Sequence, residues 1–551
     1  MSKNFTFSFL FTALFAGANA QQPVNIDNVL RYGNYDIAKE YYYQKLRVEP
    51  LNGQHYYDMG RIHINEKRND SADIYFKKGL KAERNIDVNN LGISRISLDS
   101  GNEKEALSKL NTILSKSKNK DPKLFLDVAK IYLESSKPNT EKAIEYAKKA
   151  QKLAPKDFGA ILVEADAYFL EGTNKLAEEK YKYVVKYDPK NVEARLKLAM
   201  LYRKQNVFDK SLELYNQALE LNEDLPATHR DLANYYKDLA NFSGNKAHLK
   251  KAVDHYKTFR TLLGRSFDID NQYGDFVVSV EDYTALNNLV EEIWYSRGEN
   301  FQVYRFAAVS AFEKGDFENA YTYSNQYFDV QDVETEKIGV DYFYLGLSQI
   351  AKSVSGKEVS ESEFNTGIKN LEKGISLDST LANRIYKKGL ALFEKGHYKQ
   401  AYYVFDLGTK NENVFEYVSN LYYKATSLYL TSDTPIVADP LAKAVESYDK
   451  AIAVSPQAHE VYLMNARANR NIGTDDSKAK MIKNYEGFLS ALQAKRMLNN
   501  KEFKQAIVEA YTQIGDYYKD TDKVKAAASF ENILKIDPTN EYSKSNLSVL
   551  K

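Results

Sequence analysis

The stretch AYFLEGTNKLAEEKYKYVVKYDP, residues 167–189, is followed by LYRKQNVFDKSLELYNQALELNE, residues 201–223, where the same kinds of side chain return in the same order. Tyr168 matches Tyr202, Tyr181 matches Tyr215 and Val184 matches Ala218, each pair 34 residues apart. A fixed period of this length marks a chain assembled from one repeated unit. Within the unit, apolar residues recur at helical spacing in two runs joined by a short turn, which predicts a pair of amphipathic helices.

The pattern reaches across nearly the whole chain. In the first helix of a unit a small residue precedes an aromatic by three positions: Ala129 and Tyr132, Ala165 and Tyr168, Ala199 and Tyr202, Ala233 and Tyr236, Gly515 and Tyr518. In the second helix an alanine precedes an aromatic by four: Ala38 and Tyr42, Ala72 and Phe76, Ala177 and Tyr181, Ala401 and Phe405, Ala444 and Tyr448. Pro50, Pro155, Pro189, Pro456 and Pro538 close units where a helix cannot continue. Small residues let two backbones approach, and a ring from the neighbouring helix fills the remaining gap. One hairpin cannot bury its apolar face alone, so neighbours must stack.

On these residues the chain resembles the tetratricopeptide-repeat family, with the units at 53–84, 157–189 and 191–223 closest to its spacing. The resemblance implies an all-α solenoid of about fourteen hairpins. The expected layout is an N-terminal solenoid over 21–262, a continuous C-terminal one over 263–538 and a capping helix over 539–551. Units near 268–297 and 458–497 lack most small-residue markers. Extra residues at 241–249, 353–362 and 431–440 are expected to form surface loops between helices, with a binding role as the alternative.

Composition narrows the function. The 551 residues contain no cysteine, which removes disulfides, thiolate metal sites, cysteine nucleophiles and cysteine lipidation. Residues 1–20 read as a signal peptide, with Lys3, an apolar run and Ala18-Asn19-Ala20 as the cleavage site. Cleavage after Ala20 leaves 75 basic against 75 acidic side chains, since Lys3 is the only charge removed. A chain of zero net charge has no general attraction for nucleic acid or anionic lipid. The expected product is exported, most simply to a bacterial periplasm, and is not a lipoprotein.

Catalytic motifs are missing. The seven histidines never fall four apart around a glutamate, and only His55 and His63 share one predicted helix face, as ordinary histidines or a metal pair. SGKE at 355–358 is no phosphate loop, and no G-x-S-x-G elbow occurs. No cofactor, no metal and no enzymatic activity are expected.

The leading expectation is a non-catalytic scaffold of the cell envelope that binds a protein or peptide. In the resembled family the fifth and ninth residues of each first helix face a ligand in the concave groove. The fifth positions here are Leu126, Leu162, Leu196, Arg230, Asn271, Arg305, Phe343, Tyr386 and Tyr422. Ninth positions include Arg61, Lys130 and Asp166 early, and Val309, Leu347 and Leu390 late. The resemblance therefore implies an apolar groove over 300–430, lined by Val309, Phe343, Leu347, Tyr386, Leu390 and Tyr422, with Arg305 at its entrance. The same spacing also suits core packing, so both readings stand. The family's basic clamp is incomplete: Arg230 and Asn234 match, but Gln272, Gln302 and Phe306 do not. A glycan-binding accessory, suggested by the 43 tyrosines, is the alternative, and an unrecognised enzyme the third reading.

Overall fold

The computed structural model describes residues 25–297, 301–330 and 337–550; the expected signal peptide lies outside them. Among the described residues there are 29 α-helices and no strand, only an isolated bridge between Asn52 and Arg84. The helices follow one another in chain order as fourteen successive pairs, most of them packed as hairpins, and then the single helix Glu541–Leu550. That last helix lays Leu547 on Phe530 and Ile533 of the hairpin before it. No described helix is long and apolar enough to cross a membrane.

The packing follows the small-plus-ring pattern. Phe76 is fully buried, and a Cβ added to Gly60 or to Gly92 would lie within 2.2 or 2.3 Å of its ring. The ring on the second helix therefore fills a notch in its own hairpin and another in the next one. Gly389 stands in the same relation to Phe405, and Gly515 to Phe530. Ala177, Tyr181 and Tyr215 are fully buried, which accounts for their recurrence in the opening stretch.

The chain divides into two compact units, Met1–Glu292 and Ile293–Lys551. This division falls thirty residues beyond the expected 262/263 boundary. The reason is that the helix Phe267–Ser279 packs back on the first hairpin, Ile26–Arg31 with Tyr35–Val48, and belongs with it. Of the weakly marked units, the second forms an ordinary hairpin, His459–Ile472 with Asp475–Ala494, and the first is made of two helices, Phe267–Ser279 and Tyr283–Arg297. The extra residues at 241–249 mostly lengthen helices: Pro226–Ser243 and Ala247–Leu263 leave only residues 244–246 between them. Residues 431–439 do form a loop, and its Ile436 and Val437 pack against the core.

In the first unit, packing runs from hairpin to hairpin and then closes on itself. Asn34 donates from Nδ2 to the carbonyls of Leu263 at 2.9 Å and Gly264 at 3.1 Å. Gln272 returns the bond, its Nε2 lying 3.3 Å from the carbonyl oxygen of Tyr32 and 3.2 Å from that of Gly33. The Asp36 amide donates to Asp268 Oδ2 at 2.8 Å, across 232 residues of chain. Gly33 is required here, because its φ is +83° and a Cβ would stand 2.9 Å from Gln272 Nε2.

Candidate partner-binding site

The first unit carries a solvent-open cavity of about 930 Å³. Its wall comes from the first helices of six successive hairpins, Ile26–Arg31, Gly53–Asn65, Val88–Asp99, Pro122–Glu134, Gly159–Leu170 and Val192–Lys204. Their small-residue faces are consumed by packing, so the opposite faces are left for the cavity. One register position recurs around it: Arg61, Arg95, Lys130, Asp166 and Met200 each line the wall, at steps of 34 to 36 residues.

Charge on this wall is unevenly neutralised. Arg95 donates from Nε to both oxygens of Asp99 at 3.2 and 3.1 Å and from Nη1 to Glu134 at 3.4 Å. Asp166 accepts from Tyr181 Oη and Lys197 Nζ, each at 2.6 Å. Burial first, and then that carboxylate, push the Tyr181 hydroxyl far above its ordinary value, so it stays a donor. Arg61 is held more loosely, 3.8 Å from Asp58 and 5.8 Å above the Tyr57 ring, and its side chain is 44% exposed. Burial raises the Asp58 carboxyl, opposed by Gln54 and Arg61, and pushes Tyr57 up to about 12. Lys130 is exposed. The wall therefore offers Arg61 and Lys130 as cations not locked into short pairs, beside the apolar Phe169, Leu170 and Met200.

The expected ninth positions Arg61, Lys130 and Asp166 line this cavity, as does the fifth-position Leu162. All three early fifth positions, Leu126, Leu162 and Leu196, are buried, and of these Leu162 borders the cavity. Arg95 and Met200 escaped the sequence reading although the same period reaches them from Arg61 and Asp166. Asp27 and Arg31, also on the wall, come from a helix too short to show periodicity.

The residues expected to form a groove over 300–430 are placed differently. Val309, Phe343 and Leu347 are 2%, 0% and 4% exposed and lie in the core, which corrects their expected position on a groove surface. Arg305 is engaged within the chain, donating from Nε and Nη2 to the two oxygens of Asp341 at 2.7 and 2.9 Å. The void beside it, lined by Arg305, Val309, Tyr327, Asp341 and Tyr344, is only about 10 Å³. Close backbone approach explains the burial. Gly346 faces the carbonyl of Gly367, and Gly374 faces those of Gly339 and the amide of Phe343, so the two helices press together along the Phe343 face. Glycines seven apart on both helices were the overlooked signal. Tyr386, Leu390 and Tyr422 are half-buried. Tyr386 packs on Phe405 and Tyr423, and burial pushes its hydroxyl up to about 12; Tyr422 packs on Tyr423 and Tyr448.

Two positions tested for a basic clamp also have intramolecular partners. The Arg230 guanidinium lies 5.0 Å over the Tyr32 ring, and Gln272 holds the carbonyls of Tyr32 and Gly33. His55 and His63 do not meet: His55 lies beside Asn52 and Glu49, and His63 Nδ1 is 3.3 Å from Glu66. Among the described residues no three His, Asp or Glu side chains are grouped to hold a metal.

Two family models, both described as tetratricopeptide repeat, match residues 168–235 and 54–86. No curated protein matches the sequence. Similar solved structures include the C-terminal part of a TPR repeat-containing protein from Cytophaga hutchinsonii, with 21% identity, 51% of this chain and 99% of that one covered, and a TM-score of 0.35. A tetratricopeptide repeat protein from Parabacteroides merdae is 14% identical over 47% of this chain and 97% of its own, with a TM-score of 0.31. A TPR protein from Thermus thermophilus is 21% identical over 34% and 98%, with a TM-score of 0.27. The chain thus contains tetratricopeptide repeats stacked as a helical solenoid, a protein-interaction architecture.

Proposed function

We propose that this protein is an exported, non-catalytic scaffold of the bacterial cell envelope, and that a segment of a protein partner binds in the cavity of its first unit. One observation carries the reading: six consecutive first helices turn one register position into a shared cavity of about 930 Å³ while their other faces are packed. A volume of this size accommodates several side chains of an extended segment. Apolar contact with Phe169, Leu170 and Met200 would supply affinity, and Arg61 and Lys130 would orient carboxylates of the segment. The export assignment rests on the signal-like residues 1–20 and the absence of cysteine.

The reading is tested by placing a photo-crosslinking residue at Lys130 in the cavity, or at Tyr183 on an exposed second helix, and irradiating the native envelope. Adducts to one partner from position 130 and none from 183 support it. Equal adducts from both, or none from 130, overturn it.

A further inference from the structure

The hairpin Pro226–Ser243 with Ala247–Leu263 gathers His229, His248 and His255, three of the seven histidines of the chain. With Tyr236 they form a row of rings between the two helices. His229 and His255 are 5.4 Å apart between centroids, His255 and Tyr236 5.6 Å, and Tyr236 and His248 6.3 Å.

At one end of the row two ring nitrogens meet. His229 Nδ1 and His255 Nδ1 lie 3.2 Å apart, brought together from separate helices. The other nitrogen of His229, Nε2, is 2.9 Å from the carbonyl oxygen of Glu223. A carbonyl only accepts, so in the neutral ring Nε2 carries the proton and Nδ1 turns its lone pair toward His255. His255 then donates from Nδ1 and keeps a bare Nε2. Both rings are half-buried, within reach of solvent. Burial, then His229, lower His255 from 6.5 to about 4, with Lys251 adding to this and Asp254 opposing it, so the ring is neutral at neutral pH.

Two neutral imidazoles facing each other through one proton are also a donor set for a borderline divalent metal. With metal–nitrogen bonds of about 2.0–2.1 Å, the 3.2 Å separation corresponds to an angle of roughly 100° at the ion. That angle lies between the square-planar and tetrahedral values, which suits Cu²⁺ and Zn²⁺. A small turn about the soft imidazole torsions brings both lone pairs to one point. The Glu223 carbonyl on Nε2 is the kind of outer contact that orients a metal-ligating imidazole. Tyr236 stacks within 9° of the His255 plane. Asp254, the nearest carboxylate in sequence, is engaged by Lys250 at 2.9 Å.

We propose that His229 and His255 form a divalent transition-metal site, completed by water, that clamps the two helices of this hairpin. Entry of the ion moves the His255 proton from Nδ1 to Nε2, so each ring keeps one N–H and gives one lone pair. Spacing within a single helix could not reveal the pair, whose members are 26 residues apart on two helices.

The test uses the full chain and Zn²⁺ alone at neutral pH. Calorimetry should find one Zn²⁺ per chain, with Cu²⁺ tighter and no binding of Mg²⁺ or Ca²⁺. Losing an outer-shell partner already costs about 10–100-fold in metal affinity, so His229→Ala and His255→Ala should each weaken binding by at least about tenfold. His397→Ala, in the second unit, should leave it unchanged. Zn²⁺ should raise the melting temperature of the wild type and not of the two variants. In the wild type, needing no variant, Zn²⁺ should protect His229 and His255 from acylation by diethyl pyrocarbonate while His397 still reacts. Absence of stoichiometric binding, unchanged affinity in either variant, or equal acylation with and without Zn²⁺ overturns the site. None of these results depends on a partner or on the cavity.

Discussion

The first unit and the helices Gly339–Ser353 and Glu361–Leu377 of the second solve the same packing problem in opposite ways. In the first, a ring such as Phe76 wedges into glycine notches, and the ninth-position side chains stay free to line a cavity. In the second, glycines meet backbone directly, and Leu347, at the equivalent ninth position, is drawn into the core with Phe343. One repeat pattern therefore yields an accessible wall or a buried seam, depending on what occupies the notch.

The sharpest way to break this comparison is at Phe343. Replacing that fully buried ring by alanine should cost about 3–5 kcal/mol in denaturant unfolding of the second unit. An unchanged midpoint would return Phe343 to a ligand-facing role. Asp341→Asn should cost about 3 kcal/mol, because Arg305 would keep its charge in a nearly closed site without its bidentate partner. A thermal melt compared with wild type checks it.

Tyr386→Ser with Tyr422→Ser should lower stability by about 2–4 kcal/mol, since both rings pack on other aromatics. Loss of partner adducts with an unchanged melting point would instead make them part of a binding surface. The first unit should answer to pH. Burial, then the neighbouring Asp36, raise the Asp268 carboxyl from its ordinary 3.8 to about 6; Glu66 adds to this, while Lys39 and the Asp36 amide oppose it. A raised acid favours the closed form when protonated, so this contribution is complete below pH 3.8 and is lost as pH rises to about 6. Asp268→Asn keeps an acceptor for Asp36 and should raise the melting point at pH 8 by the equivalent of roughly 1–2 kcal/mol, with no gain below pH 4. Smallest of all, Lys130→Ala should change stability by less than about 0.5 kcal/mol while altering what the cavity captures.

Much of the architecture was written in short-range pattern. The alanine and ring pairs at Ala165 and Tyr168, or Ala177 and Tyr181, specify a hairpin because each needs only its own helix and the next one. Register carried far enough to put Arg61, Lys130 and Asp166 on one surface. The closure of the first unit was not legible, because Asn34 and Gln272 bond to backbone carbonyls, which leave no trace in the identity of their partners. The burial of Phe343 depends on Gly367 and Gly374 of the neighbouring helix, so its own helix reads the same whether the ring faces core or ligand.

That closure also places a demand on synthesis. Each hairpin of the first unit can form from contacts close in sequence as soon as it emerges. Asn34 and Ile37, however, have no partner across the closure until Leu263 and Gly264 have been made. At ordinary elongation rates of about 5–20 residues per second, that interval is roughly 10–50 s. For that time the unit exists as an open stack with the edge of its first hairpin uncovered, and closure is the last and least local step of its folding.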